Sequence, residues 1–379
     1  LAIVGRDGNL YRYEMAAGQL SPITSDGELG PRGRFYTWPT WSRDGQLAFF
    51  GASAVPNDAY DLGVFILGTD GQTRRALSVQ GESFTYASWA PADCPAGNCR
   101  DLALLYSNAE GLGMRLIRSG EQITQQEVDS GGPFYWDWSP DASQMVWARF
   151  GRSFYIYDVA GAAVQTELPY EQGVAQSAAD WSPVDGRLIL AIADAGGTAL
   201  LLVDGESEQV LVENLAVGAA FDWSPTGEQL AYLDWERGTL NLVEVASGRL
   251  LDTPSEGVLA FFWSPDGSKI AYVVLDEGGA KPGASLNRQG QAVGLRWAVY
   301  DVAKARARFL SSFQPTQEML YYLQFFDQFA RSHSLWSPDS RYLAFGEVLG
   351  GEEFVTVLDT DQSSTPPLSL EGAMGIFSW

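Results

Sequence analysis

Lysine is nearly missing from this chain of 379 residues: it occurs only at Lys269, Lys281 and Lys304. Acidic residues outnumber basic ones 47 to 24, for a formal net charge of -23. Affinity for nucleic acid or an anionic membrane surface depends on basic residues that neutralise phosphates, and no basic cluster of useful size is present. Nucleic acid is therefore not an expected partner. The acids are scattered through turns rather than gathered in runs, a distribution that serves solubility. Long hydrophobic runs are also lacking; nothing approaches the roughly 18 consecutive apolar residues of a membrane span. Histidine occurs once, at His333, which leaves no set of imidazoles for a transition-metal site and one candidate for a general base. There is no Gly-x-Ser-x-Gly elbow, no Gly-rich phosphate loop and no dinucleotide fingerprint. No catalytic constellation is visible.

Cysteine is limited to Cys94 and Cys99, both in the turn Asp93-Cys-Pro-Ala-Gly-Asn-Cys-Arg100. A zinc site would need two further ligands, and a redox Cys-x-x-Cys would need two intervening residues where this pair has four. A small disulfide pinning a surface loop is the reading left. Bridges persist in oxidising compartments, so the protein is expected to be periplasmic, secreted or at a cell surface.

What the chain does have is a repeat. It reads Trp41-Ser-Arg-Asp-Gly45, Trp89-Ala-Pro-Ala-Asp93, Trp138-Ser-Pro-Asp-Ala142, Trp181-Ser-Pro-Val-Asp185, Trp223-Ser-Pro-Thr-Gly227, Trp263-Ser-Pro-Asp-Gly267 and Trp336-Ser-Pro-Asp-Ser340, with an eighth tryptophan at Trp379. The tryptophans are 48, 49, 43, 42, 40, 73 and 43 residues apart. A period of about 40 to 50 residues marks a repeat architecture. Pro-Asp-Gly is turn chemistry, and a short apolar run follows each copy, as at Leu47 to Phe50 or Ile270 to Val273. The tryptophan thus ends one strand and the apolar run begins the next. A third strand, such as Phe154 to Asp158, and a weaker fourth complete the unit. Four antiparallel strands per repeat is the pattern of a beta-propeller blade.

This Trp-Ser-Pro-Asp-Gly plus Leu/Ile-Ala-Phe/Tyr pattern resembles the WD40-like (PD40) beta-propeller repeat of the TolB family, which also occurs in the propeller domains of prolyl-oligopeptidase-type peptidases. The resemblance covers essentially the whole chain. It implies a propeller fold and is nearly silent on function, because the repeat occurs in binding proteins, peptidase gating domains and lyases. Two copies depart from it: Arg43 replaces the proline, and a cysteine-bearing insert follows Pro91.

The ends of the chain set the blade count. Leu1 to Val4 and Leu10 to Glu14 look like second and third strands lacking a first, which Gly375 to Trp379 can supply. The expectation is an all-β, eight-bladed propeller of four-stranded antiparallel blades. It is closed by pairing of the N- and C-terminal strands, since closure removes free edges. Residues 1–379 form one domain in this reading, with an insertion at 277–332 carrying one short helix. The insertion explains the 73-residue spacing.

Two departures from repetition carry the candidate site. Just before the motif tryptophans of three consecutive blades stand Asp137, Asp180 and Asp222, so three carboxylates share one height on the innermost strands. Either each accepts hydrogen bonds in its own turn, or the arc collects a cation or a basic group. Calcium or magnesium is the metal that hard oxygen ligands would favour. The second departure is the insertion: a Gly-rich loop over 277–293, then a helical stretch over 314–332. Thr316 can cap that helix, and Tyr321, Phe325 and Phe329 recur at i, i+4, i+8. It ends in a polar cluster, Asp327, Gln328, Arg331 and His333. Both inserted parts emerge at the end of the blades opposite the Pro-Asp-Gly turns.

These observations lead to a non-enzymatic, extracytoplasmic binding scaffold. It would engage a protein, peptide or glycan on the insertion-bearing face through Tyr321, Phe325, Asp327, Gln328, Arg331 and His333. The alternative is a hydrolase, a lyase, or the gating propeller of a prolyl-oligopeptidase-type peptidase whose catalytic domain is not in this chain. No cofactor is expected apart from that calcium or magnesium ion in the pore. On the compartment, the expected outcome is that thiol titration of unreduced protein finds no free thiol; two free thiols would overturn it. Loss of so short a bridge should cost about 2 kcal/mol.

Overall fold

In a blade whose two middle strands are covered by neighbouring blades on both faces, those strands must be apolar throughout, whereas the outer strand can be polar. The chain obeys this rule. Gln144–Arg149 and Leu188–Asp194 bury nearly all their central residues, while Ala163–Glu171 and Ser207–Leu215 are mostly exposed. The computed structural model describes every residue except 31–32, 56–58, 80, 95–99, 121, 150–152, 174–178, 216–217, 256, 277–293 and 363–364.

Eight antiparallel sheets follow one another around a ring. Blades one to six begin with innermost strands Arg34–Trp41, Ser83–Trp89, Pro133–Trp138, Ala179–Trp181, Ala219–Trp223 and Val258–Trp263, and each continues outward through three more strands in chain order. Blade seven has Tyr342–Leu349, Glu352–Asp359 and Leu368–Glu371; a single bridge, Trp336 to Leu343, stands where its innermost strand would be. Blade eight is assembled from both ends of the chain: Met374–Ile376 pairs with Ala2–Val4 in the register Ala2 to Ile376, Ile3 to Gly375 and Val4 to Met374. The expected eight blades and terminal closure are therefore present. Among the described residues, no helix is long and apolar enough to cross a membrane.

Each residue of the repeat has a physical task. The motif serine accepts a bond from the start of the second strand, as Ser139 Oγ does from Gln144 N at 2.9 Å and Ser264 Oγ from Lys269 N at 2.9 Å. The aspartate closes the turn by accepting from the N–H two residues on, as Asp141 does from Ser143 at 3.0 Å. Gly45 and Gly267 hold φ at 89° and 70°, a region that glycine enters without a steric penalty. The tryptophan joins blades. Indole Nε1 donates to the preceding blade's carbonyl from Trp89 to Thr40 at 3.0 Å, from Trp223 to Asp180 at 3.0 Å and from Trp336 to Phe262 at 3.1 Å. At the closing seam, Trp41 donates to Ile376 O at 3.3 Å and Trp379 to Trp41 O at 2.8 Å.

The insertion's helical part enters the ring rather than lying on it. Helix α1 spans Gln317–Gln324 and is capped by Thr316, whose side chain accepts from Met319 N as expected. The chain kinks at Phe325 and makes a short helix α2, Phe326–Phe329. Met319, Tyr322, Phe326 and Phe329 are buried. Phe326 packs 5.4 Å from Phe261, and Phe329 packs 4.8 Å from Trp38 and 5.2 Å from Tyr86, ring centre to ring centre. A helix apolar on more than one side needs such all-round cover.

Thr316 also donates to Ala373 O at 2.7 Å, just before the closing strand. A Cβ added at Gly346 would lie 2.0 Å from that carbonyl and 2.5 Å from Thr316 Oγ1. Thr316→Ala is expected to cost about 1 to 2 kcal/mol through the lost cap, and Gly346→Ala about 1 to 3 kcal/mol through overpacking. Chemical denaturation measures both; two unchanged stabilities would mean that helix and ring closure are not keyed together.

Candidate functional site

Innermost strands of a propeller line a central channel, and here the stretch from Phe326 to Ser334 fills its middle. Gln328 bonds to blade three as another strand would: its Oε1 accepts from Trp136 N at 3.1 Å, and its Nε2 donates to Trp136 O at 3.1 Å. It also donates to Tyr86 Oη at 3.2 Å, while Tyr86 donates to Gln328 O at 2.8 Å. Thr40 Oγ1 donates to Ser332 O at 2.6 Å, and Tyr322 Oη to His333 O at 2.9 Å. The innermost strands yield to this plug. Beta-bulges interrupt their pairing between Thr37 and Thr40 and between Phe134 and Trp136, with Trp38 at φ 50° and Tyr135 at φ 49°. Positive φ is unusual for bulky aromatics and costs about 1 to 3 kcal/mol where it is enforced.

Arg331 lies at the centre of the acidic arc. Its Nη2 is 3.2 Å from Asp180, with Asp137 and Asp222 each at 4.0 Å from other guanidinium nitrogens. The same group donates to Ala179 O at 3.1 Å and Phe221 O at 3.3 Å. A guanidinium, the basic group that was one of the alternatives for the arc, therefore occupies its centre. Among the described residues, no group of three or more histidine, cysteine, aspartate or glutamate side chains is placed to hold a metal ion.

The aspartates also do not bond within their own turns alone. Asp137 Oδ2 accepts from the backbone N–H of Trp181 at 2.7 Å, and Asp180 Oδ2 from that of Trp223 at 3.1 Å, so each reaches the next blade. Burial pushes all three carboxyls up against the attraction of Arg331, Asp180 well above its ordinary value and Asp222 to about 7. Burial works against the Arg331 charge, yet Asp180, Asp137, Asp222 and Asp327 together hold its pKa above the usual value.

Burial limits what the insertion's polar cluster can present at the insertion end. Asp327, Gln328 and His333 are buried, and the Arg331 side chain is 13% exposed, so none of these presents a face at the insertion end. Tyr321 is exposed and Phe325 half-buried, and they touch each other at 5.3 Å. The Gly-rich loop 277–293 lies outside the described residues, as does Cys99. His333 also fails as an accessible base. Its Nδ1 meets Ser332 Oγ at 2.7 Å, but burial drives its pKa to about 3, so the ring stays neutral.

The opening into the ring is at the other end. A funnel of about 520 Å³ is floored by Ala330, Arg331, Ser332 and the three aspartates. All eight motif tryptophans form its wall, and the motif prolines form its rim. Arg43 stands at the rim where the other copies have proline, exposed and without an ion pair among the described residues. This funnel was not anticipated, although its signals were in the sequence: three aspartates at one height and a lone Arg43 in the proline position.

Solved structures match the chain in fold. The C-terminal WD40 domain of Sif2 aligns over 94% of this chain and 91% of its own, with a TM-score of 0.54 and 14% identity. A eukaryotic initiation factor aligns over 98% and 84%, also at 0.54 and 14%. TolB from Acinetobacter baumannii aligns over 85% and 79%, at 0.42 and 14%. The two likenesses at 0.54 support the propeller fold. No protein-family model and no curated protein sequence matches the chain, so the TolB-like resemblance of the motif stands at the level of the fold.

The raised carboxyls have a consequence for stability. Between about pH 4 and 7 the folded protein keeps a proton on Asp222 that the unfolded chain releases, so this contribution is full at the acid end and lost as pH rises through about 7. Compared at about pH 5 and about pH 8, the wild type is expected to lose more melting temperature than Asp222→Asn. Melting curves offset by a constant amount at both pH values would show that Asp222 titrates normally.

Proposed function

We propose that the protein is a non-enzymatic binding propeller that captures a segment of a protein partner in the tryptophan-walled funnel at the end carrying the Ser-Pro-Asp turns. The observation that carries this reading is the asymmetry of the channel. The plug closes one end with buried aromatics and with hydrogen bonds from Gln328 and Arg331 to the innermost strands, while the other is left as a concave site of the size that ligand pockets have. Seven of the eight wall tryptophans are tied between blades by their indole N–H, and a preorganised wall lowers the entropic cost of binding. Repetition alone requires none of the charged floor, so the floor is where specificity belongs.

Two features support binding over chemistry. The single histidine is sealed among Trp38, Tyr86 and Phe329, and Asp137 and Asp180 are engaged in joining blades. An extracytoplasmic setting is part of the proposal and rests on the expected bridge between Cys94 and Cys99.

Ala330 is half-buried at the floor, where a large side chain would occupy the cavity. The test screens a library of short random peptides against the wild type and Ala330→Trp, with melting temperature as the control for folding. Binders retained by the wild type and lost by the variant are expected. Binders that ignore the substitution, or none at all, would remove the funnel as the binding site.

A further inference from the structure

We propose that the funnel takes a basic side chain, the ammonium of a lysine or the guanidinium of an arginine, carried by an extended segment of the partner. This rests on the funnel being the binding site and adds the chemistry of what enters it. The first argument is a charge count. Three carboxyls surround one guanidinium, so once they ionise Arg331 cannot neutralise the floor. Two of the three are further committed: Asp137 and Asp180 each accept a backbone N–H of the next blade. Asp222 makes no such bond to the next blade among the described residues, meets Arg331 only at 4.0 Å, and its side chain is 24% exposed. It therefore has acceptor capacity left, at a surface the cavity reaches.

The second argument is the wall. Indole and proline make most of it apolar, and charge at the bottom of a cleft with low-dielectric walls is focused along the cleft axis. Lysine and arginine fit both parts, because their stems pack on apolar surface while their heads seek a carboxylate. A metal ion would leave the walls unused, and an acidic side chain would meet three carboxylates. The third argument is the whole molecule: a net charge of -23 draws a basic partner from a distance and repels acidic ones.

Binding of a cation here is coupled to proton release. Asp222 is faced by Asp180 from the neighbouring blade and Asp137 from the blade beyond it, by Arg331 and Asp327 from the plug and by Tyr322 from α1. In this company burial keeps part of the carboxyl set protonated near neutrality. An incoming ammonium or guanidinium must displace such a proton, so affinity rises with pH.

The test uses blocked pentapeptides with a central lysine, arginine, glutamine or glutamate, titrated calorimetrically into the whole protein. The lysine or arginine peptide is expected to bind, more tightly at about pH 8 than at about pH 5.5, and the glutamine and glutamate peptides at least about tenfold more weakly. Asp222→Asn should weaken the basic peptide about tenfold or more. Arg43→Glu, an exposed rim change that threatens no packing, should tighten it several-fold. Equal binding of all four peptides, no binding of any, or a tightening in Asp222→Asn would overturn the inference. So would calcium chloride raising the melting temperature of the wild type but not of Asp222→Asn, because the carboxylates would then belong to a metal ion. Funnel-dependent binders from the random library without basic enrichment would sink this inference alone. The absence of funnel-dependent binders would sink the binding reading with it.

Discussion

Closing eight twisted sheets into a ring leaves a channel on the axis, and the innermost strands turn their peptide groups toward it. Buried backbone donors and acceptors that lack partners are costly, so the channel has to be either wet or filled. In this protein one segment fills its middle. Gln328 satisfies both backbone groups of Trp136, and Arg331 caps the carbonyls of Ala179 and Phe221. The rest of the ring is arranged around that filling, down to the bulges that set Trp38 and Tyr135 at positive φ beside it.

Filling the channel with a charged residue imposes a second requirement. A guanidinium this far from water needs counter-charge, and the desolvation cost of such pairs is large. The three aspartates supply it, but they supply more than one guanidinium can use, and two of them also tie blade three to four and blade four to five. Residues with structural roles thus also line the proposed binding site. Removing Arg331 would leave three carboxylates buried together, a larger penalty than the loss of its own bonds. Asp222 is the member with the least structural duty and the one the cavity reaches.

Much of the fold was legible because the repeat encodes local physics. A tryptophan followed by Ser-Pro-Asp-Gly states where a strand ends and where the next begins, and its spacing counts the blades. The pairing of Ala2–Val4 with Met374–Ile376 followed from an incomplete blade at each end. The candidate site was legible only in pieces. Asp137, Asp180 and Asp222 were found from strand register, and Arg331 and His333 from the insertion, but as two separate sites. They are parts of one, with His333 sealed behind it. No sequence periodicity states whether an amphipathic helix docks on a face or descends into a channel, since both bury the same aromatic residues.

The sequence by itself determined the blade, the number of blades and the closure, because turn chemistry and alternation act between residues a few positions apart. Only the tertiary structure decided that the insertion is a plug, that Arg331 rather than a metal ion answers the acidic arc, and that the open cavity lies at the turn end. Those outcomes depend on groups about 110 to 150 residues apart in the chain meeting across the axis. Their meeting is set by the width of the ring and the packing of Phe326 and Phe329 within it, which no local pattern records.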